Sequence, residues 1–362
     1  MNEFVLGVMT GTSIDAIDIA LLKINDNKPK KLIDFCSKKF PGKLREDLVS
    51  LSTSSITNIH SLSITANNLS LEIAKNINLF LKKQQTRRKI VACGIHGQTI
   101  THKPSQGYSI QICNPNLIAE STGFLIVSDF RNRDICRGGQ GAPFAPLFHA
   151  QIAPKNDVSA FVNIGGIANL SLIANASVEG YDIGPGNCLI DHWCQSKTNN
   201  LYDKNGKWAK SGAVVPQLLE SMMNEPFFRD KPPKSTSSQF FNRDWLNNHL
   251  NRLGSNSNSV KNEDVQATLT ELTASLISKA IPKSTNKVYL CGGGINNKYL
   301  VERIRFNSDK DFVSTETLGW DPLTIEASCF GWLAYQTINK KKLDLRKITG
   351  AKTQGVLGVI TP

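Results

Sequence analysis

The chain has 362 residues, 40% of them hydrophobic, which is more than one core usually needs and predicts two domains. No apolar stretch reaches the roughly eighteen residues needed to cross a bilayer, and no basic region precedes the first apolar run, so we expect a cytoplasmic protein without a membrane partner. The net charge of +12 lies in Lys and Arg runs without interleaved aromatics, which favours a solvated basic face and no nucleic-acid partner. The eight cysteines form no Cys-x-x-Cys pair and predict reduced thiols rather than disulfides or a zinc site.

The N-terminal part of the chain has the pattern of a strand, a turn and a second strand. Phe4 to Met9 is apolar, Thr10 to Ser13 is a turn of small residues, and Ile14 to Leu22 resumes a strand that carries Asp15 and Asp18. A third strand and two helices with apolar residues at helical spacing are expected next, at Lys31 to Phe35, Leu44 to Leu51 and Ile59 to Leu81.

A polar segment follows the next predicted strand, Ile90 to Cys93. Its residues His96, Gln98 and Thr99 offer donors and acceptors suited to sugar hydroxyls, at a strand end where α/β proteins usually contact ligands. A single His is more often structural, so this interpretation depends on its polar neighbours.

Arg131 follows a further predicted strand, Phe124 to Val127. At a strand end its guanidinium could hold a carboxylate in a bidentate fork, and pairing with Asp129 or Asp134 is an equal alternative on spacing alone.

A glycine-rich segment, Gly138 to Gly141, separates two α/β blocks and predicts a domain boundary and a hinge. The chain would return near Leu343 to Lys347. We therefore expect one domain from residues 1–130 plus 345–362 and a second from residues 131–344, which close on substrate to exclude water.

The strand, turn and strand pattern occurs again around Gly165 and Gly166, between the apolar runs Val158 to Val162 and Leu170 to Ile173. Asp182 then ends a third short strand, and Gly184 opens a turn into a helix near Asn187. The free N–H groups of that helix would face the neighbourhood of the Asp182 carboxylate. Ordinary turn glycines beside a turn Asp explain one such segment equally well.

A third glycine cluster follows the predicted strand Lys287 to Cys291. Gly292 and Gly293 belong to it, and a helix is expected from near Asn296. Three such turns that converge would line a nucleotide-sized cleft with backbone N–H groups. The chain has no Gly-x-x-x-x-Gly-Lys-Ser/Thr loop and no protein-kinase signature, which excludes those two ATP-binding folds.

Helices complete the pattern, at Val214 to Met223, Trp245 to Leu253, Val265 to Ile281 and Thr324 to Ile338. Glu326 lies in the first turn of the last helix, where a carboxylate is usually only a partner of the helix dipole. The Pro-, Ser- and Asn-rich residues 224–260 predict long surface loops around one short helix.

Together these segments resemble the anhydro-N-acetylmuramic acid kinase family of bacterial cell-wall recycling. The matching stretches are Gly11 to Asp18, Gly94 to Thr99, Asp129 to Arg131, Gly138 to Pro143, Asn163 to Asn169, Asp182 to Asn187, Gly292 to Asn296, Glu326 to Ala327 and Thr349 to Ala351. The resemblance implies an α/β fold of two ribonuclease H-like domains, of the actin and sugar-kinase type, with nucleotide in the cleft between them. It also implies a homodimer.

The resemblance implies the reaction as well: 1,6-anhydro-N-acetylmuramic acid, ATP and water give N-acetylmuramic acid 6-phosphate and ADP, with Mg²⁺. By similarity Asp182 is the catalytic base, and His96, Gln98, Thr99, Arg131 and Glu326 contact the sugar. The implied ATP-binding residues are Gly11, Thr12, Ser13, Ile14, Asp15, Ala16, Ile17, Asp18, Gly165, Gly166, Gly184, Gly292, Gly293 and Asn296. The ligands of the metal stay unassigned.

Two positions depart from the family pattern. Ala16 stands where the family usually has Gly, and residues 237–239 replace the usual Gly-Arg-Glu after Lys234-Ser235-Thr236. The sequence suggests no physical role for this second segment. A kinase for another amino sugar, or a nucleotide-gated binding protein without transfer activity, are the alternative functions.

Overall fold

The computed structural model describes residues 3–11, 13–54, 58–82, 90–155, 157–174, 177–254, 260–285 and 287–362. The chain divides into two compact units, unit 1 (Met1–Ile152 with Thr324–Pro362) and unit 2 (Ala153–Leu323). We expected boundaries after residue 130 and before residue 345. In the structure the helix Ala145–Ile152 packs on the helix Ile325–Ile338, and both belong to unit 1.

The strands are β1 (Glu3–Thr10), β2 (Ala16–Asn25), β3 (Lys28–Lys39), β4 (Ile90–Ile95), β5 (Gln98–Lys103), β6 (Tyr108–Ile112), β7 (Ile126–Ser128), β8 (Ser159–Ile164), β9 (Ile167–Ala174), β10 (Ser177–Pro185), β11 (Lys287–Cys291), β12 (Asp311–Ser314) and β13 (Val359–Thr361). The α-helices are α1 (Gly42–Thr53), α2 (Ile59–Leu81), α3 (Pro115–Thr122), α4 (Phe130–Ile135), α5 (Ala145–Ile152), α6 (Cys188–Thr198), α7 (Lys207–Ser211), α8 (Pro216–Met223), α9 (Arg243–Asn251), α10 (Asn262–Ala280), α11 (Lys298–Phe306) and α12 (Ile325–Ile338).

Unit 1 contains a mixed sheet in the order β13-β7-β4-β1-β2-β3. Strands β1, β2 and β3 form an antiparallel meander, while β4 is parallel to β1 and β7 is parallel to β4. The apolar side chains of β1 and β2 are buried against α1 and α2, whose buried residues recur at helical spacing. The carboxyl ends of β1, β4 and β7 therefore lie at one edge of the sheet.

Unit 2 contains a sheet in the order β10-β9-β8-β11-β12. Its first three strands are antiparallel neighbours, and β11 is parallel to both β8 and β12. This is the order of unit 1 without the added β13, so the repeat predicted from the two glycine turns is confirmed. Both units have the expected ribonuclease H-like topology.

Helix α12 packs unusually close to the first sheet because glycines lie under it. A Cβ on Gly7 of β1 would clash with the carbonyl oxygen of Ala327, and one on Gly94 of β4 would clash with that of Phe330. This close approach brings the first turn of α12, with Glu326, to the sheet.

Two residues or pairs lie elsewhere than the sequence suggested. Arg131, expected at a strand end, lies in the first turn of α4. Gln98 and Thr99, expected in the polar segment after β4, begin the hairpin β5–β6. The segment expected to hinge, Gly138 to Gly141, lies inside unit 1, where the Asp134 carboxylate accepts the Gly141 N–H at 2.8 Å. Leu343 to Lys347 also lies inside unit 1.

No described helix combines the length and apolar character needed to span a membrane. The predicted loop at residues 255–259 lies outside the described residues. All eight cysteines have free thiols, and Cys93, Cys194, Cys291 and Cys329 are buried.

Candidate active site

The first glycine turn follows β1 and is bonded to its neighbours through its carbonyl groups. Gln98 donates to the Gly11 carbonyl at 3.1 Å, and Arg45 donates to that of Ile14 at 3.0 Å. The Thr10 hydroxyl donates to the Gly97 carbonyl, outside the turn, at 2.7 Å. Because Gln98 and Arg45 occupy carbonyl oxygens that would repel an anion, the turn is suited to phosphate. Thr12, which the sequence assigns to this turn, lies outside the described residues.

Arg131, in the first turn of α4, and His96, directly after β4, are hydrogen-bond partners. Arg131 Nε donates to His96 Nε2 at 3.0 Å, and its Nη1 donates to the Gly141 carbonyl at 2.7 Å. Burial, and then the Arg131 charge, hold the pKa of His96 well below its usual value. A neutral imidazole accepts this hydrogen bond at Nε2 and orients the guanidinium without placing a second positive charge beside it.

The hairpin β5–β6, which follows His96 in the chain, carries further polar side chains. Gln111 donates to the Thr99 hydroxyl at 3.2 Å, and His102 Nδ1 lies 2.9 Å from the Ser109 hydroxyl. Burial and the Arg131 charge lower the pKa of His102 to about 4. Within the described residues the buried Gln98 Oε1 has no hydrogen-bond partner, which suits a ligand that donates a hydrogen bond.

Three carboxylates of unit 1 interact electrostatically. Burial raises the pKa of Asp18 to about 6, and the charges of Glu326 and Asp15 raise it while a hydrogen bond with Ser37 lowers it. Arg45 lies 3.8 Å from Asp15. The packing of α12 on the sheet thus brings Glu326 into the surroundings of the first glycine turn, which its sequence position alone does not indicate.

Asp182 lies in β10 at the equivalent edge of unit 2. It is directly opposite Asn169 in β9, which is opposite Asn163 in β8, so the three side chains occupy one face of the sheet. Asp182 is 5% exposed, and its Oδ2 accepts the Thr236 N–H at 2.9 Å. Within the described residues the buried Asn169 Oδ1 has no hydrogen-bond partner.

The second glycine turn, Gly165 and Gly166, bonds to the helix N–H groups that we expected to face Asp182. The N–H groups of Gly186, Asn187 and Cys188 donate to the carbonyls of Gly165 and Gly166 at 2.8–3.1 Å. These donors at the start of α6 are therefore bonded to the turn. Thr236, which lies just before residues 237–239, donates its N–H to the Asp182 carboxylate.

The third glycine turn lies beside the second. Gly292 has a φ of +82°, and a Cβ there would clash with Asn163 Oδ1 and with the Ile164 carbonyl. By contrast, nothing lies within 4 Å of a Cβ built on Gly293. Residues Gly293–Asn296 form a short 3-10 helix that leads into α11. An open glycine beside a tightly packed one suits the approach of a flat ligand such as a nucleoside.

Among the described residues no group of three or more His, Cys, Asp or Glu side chains could hold a metal ion by itself.

The residues that the sequence assigned to the site form two sets, one within each unit. Unit 2 contains Asp182, Gly165, Gly166, Gly184, Gly292, Gly293 and Asn296, and unit 1 contains the others. His102, Asn169 and Thr236 were not predicted, although the last two lie in or beside stretches that carried the family resemblance.

Comparison with known proteins agrees with the resemblance. The family model described as anhydro-N-acetylmuramic acid kinase matches residues 3–362. A protein of that name from Pseudomonas syringae pv. tomato is 43% identical over 369 residues, covering 100% of both chains. One from Sulfurimonas denitrificans is 39% identical over 371 residues, covering 99% of this chain and 100% of the relative.

A solved structure, the (R)-2-hydroxyglutaryl-CoA dehydratase component A of Acidaminococcus fermentans, matches with a TM-score of 0.49 and 13% identity, covering 93% of this chain and 100% of that chain. A likeness at this level carries no argument about activity. The family model and the relatives, by contrast, extend over the full length of the chain, and both sheets have the topology that the family resemblance implied. The chain therefore belongs to the anhydro-N-acetylmuramic acid kinase family.

Proposed function

We propose that this protein is an ATP-dependent kinase that hydrolytically opens 1,6-anhydro-N-acetylmuramic acid and phosphorylates O6, giving N-acetylmuramic acid 6-phosphate and ADP in peptidoglycan recycling. The observation that carries the proposal is the full-length match to relatives of that name. The buried Asp182 carboxylate, oriented by a backbone N–H, supplies the base that the reaction requires.

In the proposed reaction Asp182 takes a proton from the attacking water. The bond from the water oxygen to the anomeric carbon forms as the bond from that carbon to O6 breaks. O6 attacks the γ-phosphorus, and the bond to the bridging oxygen breaks to release ADP. One carboxylate suffices because the phosphoryl group takes the charge of O6, for which a glycosidase needs a second carboxylic acid.

The sugar is assigned to His96, Gln98, Thr99, Arg131 and Glu326. Arg131 is held by His96 and Gly141, so its charge is oriented in advance for an anionic group of the sugar. Gln98 Oε1, which has no hydrogen-bond partner in the part of the chain that the structure describes, would accept from a hydroxyl. The nucleotide is assigned to the three glycine turns, where backbone N–H groups stabilise charge on the transferred phosphoryl group.

Mg²⁺ is part of the proposal. It usually takes one or two carboxylates and fills its other positions with water and substrate phosphates, and the pair Asp15 and Asp18 beside the first turn fits that requirement. When bound there it would neutralise phosphate charge. A cytoplasmic location follows from the use of ATP, and a homodimer is proposed from the family; light scattering on the purified protein tests the second.

The decisive experiment measures ADP release with 1,6-anhydro-N-acetylmuramic acid, with N-acetylglucosamine and with no sugar, and the mass of the product. We expect ADP release only with the anhydro sugar, and a product mass equal to that sugar plus one phosphoryl group and one water. Phosphorylation of another amino sugar instead would favour the first alternative. Tight ATP binding without any phosphosugar would favour the nucleotide-gated binding protein.

A further inference from the structure

A segment outside the sheet, residues 226–236, contacts Asp182 on both its backbone and its side chain. The Asp182 N–H donates to the Lys234 carbonyl at 3.0 Å, and Asp182 Oδ2 accepts the Thr236 N–H at 2.9 Å. We call residues 226–236 the clamp. Both the position and the orientation of the carboxylate depend on where the clamp lies.

Lys234 connects the two ends of the clamp. The residue is 8% exposed, and its Nζ donates to the Phe227 carbonyl at 2.8 Å and lies 4.5 Å from the centroid of the Phe227 ring. Burial lowers the pKa of Lys234, and the carboxylates of Asp230 and Asp182 oppose that shift. A buried ammonium tied to a carbonyl seven residues earlier closes the clamp on itself.

Aromatic packing holds the start of the clamp in place. Phe228 stacks on Phe241 with ring centroids 5.6 Å apart, and Phe241 meets Trp245 edge-on at 5.2 Å. A Cβ on Gly184 would lie 2.8 Å from the Phe228 ring, so the strand just after Asp182 packs directly on the clamp. A shift of the clamp would therefore be transmitted to Asp182.

We propose that Lys234 is a positioning residue for the catalytic base: its ammonium holds the clamp against β10, which orients the Asp182 carboxylate and favours its ionised form. This inference rests on the proposed function, since it gives Asp182 the role of base. It also gives a physical role to Lys234-Ser235-Thr236. Among the described residues, the carboxylates of Asp230 and Asp182 act electrostatically on this lysine.

The test compares Lys234→Met with Lys231→Met, which removes an exposed lysine from the same clamp. We expect Lys234→Met to lower kcat about tenfold or more, to leave KM for the sugar within about twofold, and to move the acidic limb of the kcat–pH profile up by about one unit. Lys231→Met should match the wild type. Lys234→Arg keeps the charge and should return the acidic limb toward its wild-type position.

A double-mutant cycle separates positioning from a general loss of structure. If Lys234 acts through Asp182, Lys234→Met should change the residual activity of Asp182→Asn by less than about twofold. An equal loss in both backgrounds would overturn the proposal, as would a wild-type kcat and pH profile in Lys234→Met. A cooperative thermal transition in each variant checks that it is folded.

Hydrogen exchange tests the clamp independently of the proposed function. Loss of the Lys234 ammonium should speed exchange in peptides that contain the Asp182 and Thr236 amides, whatever the substrate is. Unchanged exchange there would contradict the clamp even in an active enzyme. Absence of phosphosugar formation by the wild type, with faster exchange in Lys234→Met, would instead reject the assigned reaction alone.

Discussion

At the scale of single residues, Asp182 is the most sharply testable assignment. Asp182→Asn keeps the shape of the side chain and an acceptor for the Thr236 N–H but removes the base. We expect turnover to fall roughly 10²-fold or more with sugar binding largely kept, measured as kcat and as a dissociation constant by calorimetry. Near-normal turnover, with Asp15→Asn or Glu326→Gln inactive instead, would move the base to another carboxylate.

Buried histidines predict how stability depends on pH. Burial lowers the pKa of His149 to about 3, and that of His102 is lowered to about 4 by burial and Arg131. The unfolded chain binds protons to these groups near pH 6.5 and the folded chain does not, so the free energy of unfolding falls as the pH drops from about 6.5 toward 4.

Urea unfolding of His102→Gln at several pH values measures this effect. The wild type should lose stability from pH 7 to pH 4, and the variant should lose up to about 3 kcal/mol less over the same range. His60→Gln, at an exposed position of α2, is the matched control and should follow the wild type. Parallel curves for all three proteins would show that His102 is not protonated differently on folding.

At the scale of elements, the contact between α12 and the first sheet positions Glu326. Gly7→Ala would place a methyl group on the Ala327 carbonyl, so we expect a loss of about 2 kcal/mol or more in the free energy of unfolding and weaker sugar binding. Gly42→Ala is the control, because nothing lies within 4 Å of its added Cβ and Ala favours the helix α1. Equal stability of the two variants would contradict the close packing of α12.

At the scale of the whole molecule, unit 2 is one continuous stretch with its own core. Its buried apolar residues, from Ala160 to Phe312, form a cluster within residues 153–323. We expect the fragment 153–323 to fold alone with a cooperative thermal transition. The fragment 1–152 lacks α12 and β13 and should not fold, because the glycines of β1 and β4 would lose their covering helix. A non-cooperative transition in 153–323 would show that its core depends on unit 1.

The sequence by itself determined most of the elements and the fold class. Apolar periodicity and glycine turns are local signals, so α2 was predicted with its observed bounds, and β1, β4, β8, β9 and β11 were predicted to within a few residues. The strand, turn and strand pattern occurs twice, which was enough to predict two related units. Each turn is specified by a few neighbouring residues, so both turns could be recognised from the sequence. The residues assigned to the site were also chosen by pattern and resemblance.

Only the tertiary structure decided which groups touch. Arg131 could pair with a neighbouring Asp by spacing alone, but folding gives it His96 as a partner. Asp182 meets Thr236, 54 residues later in the chain, and Glu326 reaches the surroundings of Asp18, because sheet register and helix packing join segments that are distant in sequence. The unit boundaries also depend on such packing, since α5 and α12 belong to the unit they bury apolar surface against. Contacts of this kind leave no periodic signal in the chain, which is why sequence patterns could single out Asp182 but not the segment around Lys234 and Thr236 that contacts it.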